Sequence, residues 1–212
     1  MLGSHLVKKS PSPKPRKVPQ QARSRATWDD IVEAATRVFS TEGYDDGAVA
    51  QVAEVAGVGV GSLYQYFSTK EALIAAVRER ASEALIRELE PRMIALTALP
   101  LREGAFGLAK LLIDAHQQYL PLMHALMNSP QPGGPAVSAA FLLRVRTAVQ
   151  VYLQTHRAEL RPQNLELSAL LLVPAMGAAL RSLLLAREPH WSDQELAEEL
   201  AQLLLGYILR DA

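Results

Sequence analysis

The stretch that decides the fold runs from Gly47 to Lys70, GAVAQVAEVAGVGVGSLYQYFSTK. In its first half Val49, Val52, Ala53 and Ala56 recur at i, i+3, i+4 and i+7, the apolar stripe of a short amphipathic helix over 48–56. Gly57 follows where such a helix ends in a left-handed residue, a conformation that costs glycine no Cβ clash. Residues 58–61 make a tight connection, and 62–67 are too few for an independent helix. Two short helices joined by a glycine-bearing turn are the helix-turn-helix pattern, whose second helix enters the DNA major groove. Leu63 and Phe67, four apart, face inward; Ser62, Tyr64, Gln65 and Tyr66 are left as outward, polar-tipped positions. Many all-α domains without a nucleic-acid role carry the same spacing, so spacing alone leaves both readings open.

The residue identities go further. Residues 56–73, AGVGVGSLYQYFSTKEAL, closely resemble the AGVSxGTLYxYFxxKExL signature of the TetR family of transcriptional regulators. The match runs through Ala56, Gly57, Val58, Gly61, Leu63, Tyr64, Tyr66, Phe67, Lys70, Glu71 and Leu73, and residues 31–45, IVEAATRVFSTEGYD, resemble the family's first helix. The resemblance implies base-edge reading by Val60, Gly61, Ser62 and Gln65, and phosphate contacts from Tyr64, Tyr66 and Lys70. The chemistry agrees: Gln pairs bidentately with adenine, Ser reads any base, Val packs on a thymine methyl, and tyrosine hydroxyls donate to phosphate. The sequence also departs from the family, which usually carries Thr or Ser near Gly47, often Arg near Ala50, and Lys near Val60. Those contacts are lost, although backbone N–H groups at the helix start by Gly47 still suit a phosphate.

The 22 Lys and Arg balance 22 Asp and Glu, but the charge is unevenly spread. Residues 1–25 carry Lys8, Lys9, Lys14, Arg16, Lys17, Arg23 and Arg25 with no acid, and prolines at 11, 13, 15 and 19. This reads as a basic extended arm, either a solubilising tail or a segment that lies along DNA, with Arg23 and Arg25 nearest the motif. The chain has no cysteine, which removes disulfides and thiolate metal sites and fits the cytoplasm. No charge-free apolar run reaches the ~18 residues of a membrane span, so no membrane partner is expected.

Helix signals fill the rest. Thr27 is the expected cap of a first helix with Asp29 and Asp30 in its first turn, and Gly43 ends it. Trp28 is read as core, with a hydrophobic lid as the alternative. Ser68-x-x-Glu71 and Ser192-x-x-Glu195 read as capping boxes. A helix from the first box runs to Glu90, with Arg78, Glu79, Arg80 and Glu83 as its solvated face. Further helices are expected over 91–98, 101–119, 122–128, 137–157, 165–186 and 192–210, with 130–135 as a loop. No strand alternation appears, so the expected fold is all-α. It divides into the arm (1–25), a three-helix DNA-binding head (26–72) and a helical ligand-binding and dimerisation domain (73–212).

The last two expected helices are unusually apolar. A monomer would use Leu180, Leu184, Leu196, Leu200, Leu204 and Ile208 as core; in the family the corresponding helices pair across a two-fold axis, and a homodimer matches a palindromic operator on double-stranded DNA. In the middle helices Phe106, Leu112, Tyr119, Met123, Met127, Phe141, Tyr152 and Met176 mix with His116, His124, Arg144 and Arg181, the composition of a small-molecule pocket and equally of an ordinary core. Neither the histidines nor Asp114 form a metal-binding spacing, so no metal or other cofactor is expected. The chain lacks G-x-S-x-G, P-loop and dinucleotide motifs and any Cys nucleophile, which argues against an enzyme. The expected function is a sequence-specific DNA-binding regulator, a repressor relieved by a small-molecule ligand. The alternatives are a TetR-like protein that has lost specific DNA binding and an all-α interaction module.

Overall fold

The structure is a computed structural model and describes residues 22–43, 47–127, 137–185 and 191–210. Its elements are α1 (Ala22–Glu42), α2 (Ala48–Val55), α3 (Val60–Tyr66), α4 (Lys70–Leu96), α5 (Leu101–Met127), α6 (Ala139–Thr155), a 3-10 turn (Arg157–Glu159), α7 (Leu165–Leu185) and α8 (Asp193–Ile208). Among the described residues the only extended pairing is a single bridge, Leu160 with Leu209.

Three prolines lie inside helices, and two of them merge segments expected to be separate: Pro91 sits within α4 and Pro121 within α5, while Pro174 lies in α7. A proline removes the partner of the carbonyl one turn earlier. All three prolines are exposed, so water can serve that carbonyl and the helix continues past it.

Two expected caps move. α1 begins at Ala22, so Thr27 lies within it and its hydroxyl donates to the Arg23 carbonyl at 3.2 Å instead of capping. Arg23 and Arg25 of the expected arm therefore stand on α1; residues 1–21 lie outside the described residues. At α4 the cap is Thr69, not Ser68, with its hydroxyl accepting from Ala72 N–H at 3.2 Å. The Ser192–Glu195 box forms as expected, with both reciprocal bonds.

The first core joins Ile31, Val32, Ala35, Val38 and Phe39 of α1 to Val49, Val52, Leu63, Phe67, Leu73, Ile74 and Val77, and it also takes in Leu122 of α5. The second packs α5 against α7 and α8, and the third joins α4, α5 and α6. Polar ties fix the layers. The buried Ser82 hydroxyl donates to Arg78 O at 2.7 Å and accepts from Ser138 N–H at 2.8 Å, which clamps the start of α6 to α4. Gln117 of α5 donates to Asp193 in the first turn of α8 at 2.9 Å. Arg161 donates to the Gly206 and Tyr207 carbonyls, satisfying acceptors that the end of α8 leaves open.

The expected solvated face of α4 is only partly so. Arg80 pairs with Asp29 and lies 5.6 Å from the Trp28 ring, and the Arg78 Nε is buried with no hydrogen-bond partner among the described residues. Tight backbone approach is decisive at Gly104. A Cβ there would collide with the Tyr152 hydroxyl, which donates to Leu101 O at 3.1 Å, and would lie 3.1 Å from the Leu96 carbonyl oxygen. Gly104→Ala is expected to destabilise the C-terminal domain by about 1–3 kcal/mol through overpacking, read as a lower urea midpoint at unchanged slope.

Candidate nucleic-acid interface and ligand cavity

The interface is built on the turn after α2. Gly57 adopts φ +67°, its N–H bonds Glu54 O at 3.0 Å, and Val58 N–H bonds Ala53 O at 2.9 Å. This is a Schellman motif, with Val58 packed on the head core as its hydrophobic contact. Gly59 is extended, and α3 begins at Val60, two residues before the expected start at Ser62.

Leu63 (1% exposed) and Phe67 (0%) hold α3 against the head, as their spacing predicts. The Phe67 and Trp28 rings lie 5.7 Å apart, and Trp28, half-buried, is part of the packing. Val60, Gly61, Ser62, Tyr64 and Gln65 are exposed together on α3. Tyr66 departs from the expectation: its ring packs on the head core, and its hydroxyl accepts from Ser24 at 3.5 Å. That contact sets the start of α1, with exposed Arg23 and Arg25, beside the end of α3. Lys70 is the first residue of α4, half-buried, and Gly47 is the exposed N-cap of α2. From Gly47 to Thr69 the sequence contains no Lys or Arg; Lys70 is the first cation after α3, and the Ser24–Tyr66 contact is what brings Arg23 and Arg25 near it.

A cavity of about 500 Å³ opens between α4, α5, α6 and α7. Of the candidate ligand residues, Leu112, His116, Phe141, Met176 and Arg181 line it. Four others do not. Phe106 packs with the second core and Tyr119 with the third. Arg144 is drawn outward into an ion pair with Glu90 at 2.6 Å. Tyr152 is buried in the second core, where burial and Glu159 push its hydroxyl pKa up to about 12. The side chains of Met123, Met127 and His124 lie outside the described residues. Sequence reasoning missed the walls supplied by Leu85, Leu89 and Met93 of α4 and by Val145 and Val149 of α6. Their only signal was helical apolar spacing, which a core residue shares.

His116 Nδ1 donates to the Leu112 carbonyl at 2.9 Å, because a carbonyl can only accept. Burial lowers its pKa, the Leu112 hydrogen bond opposes that in part and the charge of Arg181 adds to it, so the ring is neutral at pH 7. Among the described residues no group of three or more His, Cys, Asp or Glu could hold a metal.

The described leucines expected to form a seam on the last two helices are covered within the single chain. Leu180, Leu196, Leu200, Leu204 and Ile208 are all at most 5% exposed within one chain, so they form its core, and a partner would bury little more of them. The Leu184 side chain lies outside the described residues. The outward apolar residues are instead Leu167, Leu170 and Leu171 on α7, Leu203 on α8, and Leu143 and Val151 on α6. α7 has the length and apolarity to cross a membrane, with a mean hydropathy of 1.4 over Leu165–Leu183; only a third of that window is buried, although it packs on α5, α6 and α8.

A sequence family described as bacterial regulatory proteins, tetR family, matches residues 31–77, and one described as tetracyclin repressor-like, C-terminal domain, matches residues 100–208. The chain belongs to the tetR family. Among its relatives in the family, the A-factor receptor protein of Streptomyces griseus is 28% identical over 144 residues, which cover 68% of this chain and 50% of that protein. The chain thus spans about half the length of that relative. The transcriptional repressor NicS of Pseudomonas putida is 40% identical over 53 residues, 25% of each chain. A tetR-family regulator from Streptomyces coelicolor superposes with a TM-score of 0.63 at 23% identity, covering 86% of this chain and 80% of that one. NalD of Pseudomonas aeruginosa gives a TM-score of 0.56 at 20% identity over 89% of this chain and all of that one. These superpositions carry the tetR-family architecture of head and helical domain across the described residues.

Proposed function

We propose that this protein is a cytoplasmic, non-enzymatic transcriptional repressor that binds a palindromic operator as a homodimer and is released by a small molecule. The observation that carries the reading is the single face of α3 on which Val60, Gly61, Ser62, Tyr64 and Gln65 are exposed while Leu63 and Phe67 anchor it. A rigid helix with small and amide side chains outward fits the major groove, where Gln65 reads adenine and Ser62 a neighbouring base. Arg23, Arg25, Lys70, Tyr64 and the N–H groups at Gly47 hold phosphates, and the Tyr66 hydroxyl orients the start of α1. The names of related proteins support repression: NicS is a repressor, and NalD is the secondary repressor of a multidrug efflux pump.

Ligand coupling follows from two helices that serve both domains. α4 gives Leu85, Leu89 and Met93 to the cavity, and Leu73, Ile74 and Val77 to the head. α5 lines the cavity with Leu112 and His116 and sends Leu122 into the head core. A ligand that favours one spacing of α4 and α5 therefore favours one separation of the two heads, a population shift. The dimer seam is the outward stripe of Leu167, Leu170 and Leu171 on α7.

Operator selection with purified protein tests the reading. Gln65→Ala and Ser62→Ala are each expected to cost about 1–3 kcal/mol at one base pair and relax its preference. Lys70→Ala should weaken all duplexes alike and flatten the salt slope by about one unit. A second reading, a family member without specific DNA binding, draws on Gly47, Ala50 and Val60, which bring neither hydroxyl nor charge to the motif. Selection that enriches no sequence would favour it.

A further inference from the structure

Resting on the reading of this cavity as the effector site, we infer that it takes an apolar monoanion: a carboxylate head on Arg181, with a hydrocarbon body against the remaining walls. Apart from Arg181 and His116, every lining side chain is Leu, Val, Ala, Met, Phe or Pro, and Gly177 contributes backbone. Among the described residues the wall holds no carboxylate, hydroxyl or amide, so a ligand's polar group has two places to go there.

Arg181 has no hydrogen-bond or ion-pair partner among the described residues. Its guanidinium folds back along α7 to Gly177, where a Cβ would sit 3.5 Å from Nη1. A cation set in an apolar wall without a counter-charge gains most from an anion that brings one. The fork of N–H donors matches a planar carboxylate bidentately.

His116 fixes the charge count. Its Nδ1 proton is committed to Leu112 O and the ring is neutral, so the described residues of the site carry one positive charge. A monoanion neutralises it. A dianion leaves a second charge facing the apolar wall, and a cation meets the half-buried Arg181 with no anion between them. The cavity, at about 500 Å³, is within the range of ~300–1,000 Å³ for small-ligand sites and larger than a carboxylate alone requires.

The test is calorimetric titration of the full chain, without DNA, using decanoate, decanol and decylammonium. Decanoate should bind roughly tenfold or more tighter than decanol, and decylammonium weakest. Arg181→Gln should bring decanoate down to the decanol level and leave decanol unchanged, which excludes a folding defect. NMR should show bound decanoate raising the His116 pKa, because the added anion favours the protonated ring, and decanol should not. Equal binding of the three probes, binding of none, or a decanoate preference that survives Arg181→Gln would overturn the inference. Operator release is scored separately: preferential decanoate binding that leaves operator affinity unchanged would count against the effector-site reading and leave the ligand class standing.

Discussion

Leu171→Glu is expected to convert the proposed dimer into a folded monomer. Leu171 is 51% exposed in the single chain and shares its outward stripe with Leu167 and Leu170, so a charge there is solvated in the monomer and costs the fold little. In a two-fold seam the same change acts twice. Each copy loses about 1.5–3 kcal/mol of leucine burial and desolvates a carboxylate, which together weaken dimerisation by roughly a hundredfold or more. Sedimentation should give a monomer at micromolar concentration with unchanged circular dichroism, and operator affinity should fall because the second head no longer adds its effective concentration. Leu204→Glu is the contrasting control. That side chain is 5% exposed and belongs to the second core, so the charge should abolish helical signal at every concentration. A Leu171→Glu protein that stays dimeric would remove α7 from the seam.

Phe67→Ala is expected to unfold the head and spare the domain behind it. The ring is fully buried, faces Trp28, and stands between α3 and the start of α4. Truncating a buried Phe costs about 3–5 kcal/mol, a large share of the stability of a small helical unit. Hydrogen exchange should show protection lost in α1–α3 and retained in α7 and α8, with operator binding abolished and decanoate binding kept. If protection fell equally in all helices, the head and the C-terminal domain would be one cooperative unit.

Much of the head was legible before any coordinates. Gly57 was readable as a C-cap because a left-handed φ is a property of one residue, and Leu63 and Phe67 as inward because a four-residue spacing is a property of one helix. Tyr66 was misread for the opposite reason. Its position on α3 is outward by spacing alone, but α1 extends back to Ala22 and Ser24 meets its hydroxyl. Arg144 and Tyr152 had pocket-like chemistry, and their partners, Glu90 and the Leu101 carbonyl, lie more than fifty residues away in the chain. Nothing local marks such pairings.

The sequence by itself determined the all-α class, the helix-turn-helix with its inward and outward residues, and the capping box at Ser192, because each depends on interactions within a few residues of one chain segment. Tertiary structure alone decided which apolar stripe is core and which is left outward. α7 and α8 carry leucines at the same helical spacing, yet Leu196, Leu200 and Leu204 are covered by the chain's own helices while Leu167, Leu170 and Leu171 are not. Periodicity says that a helix has an apolar face; only the placement of neighbouring helices says what covers it. The cavity was decided the same way: Arg181 and His116, sixty-five positions apart, meet there because α5 and α7 pack side by side.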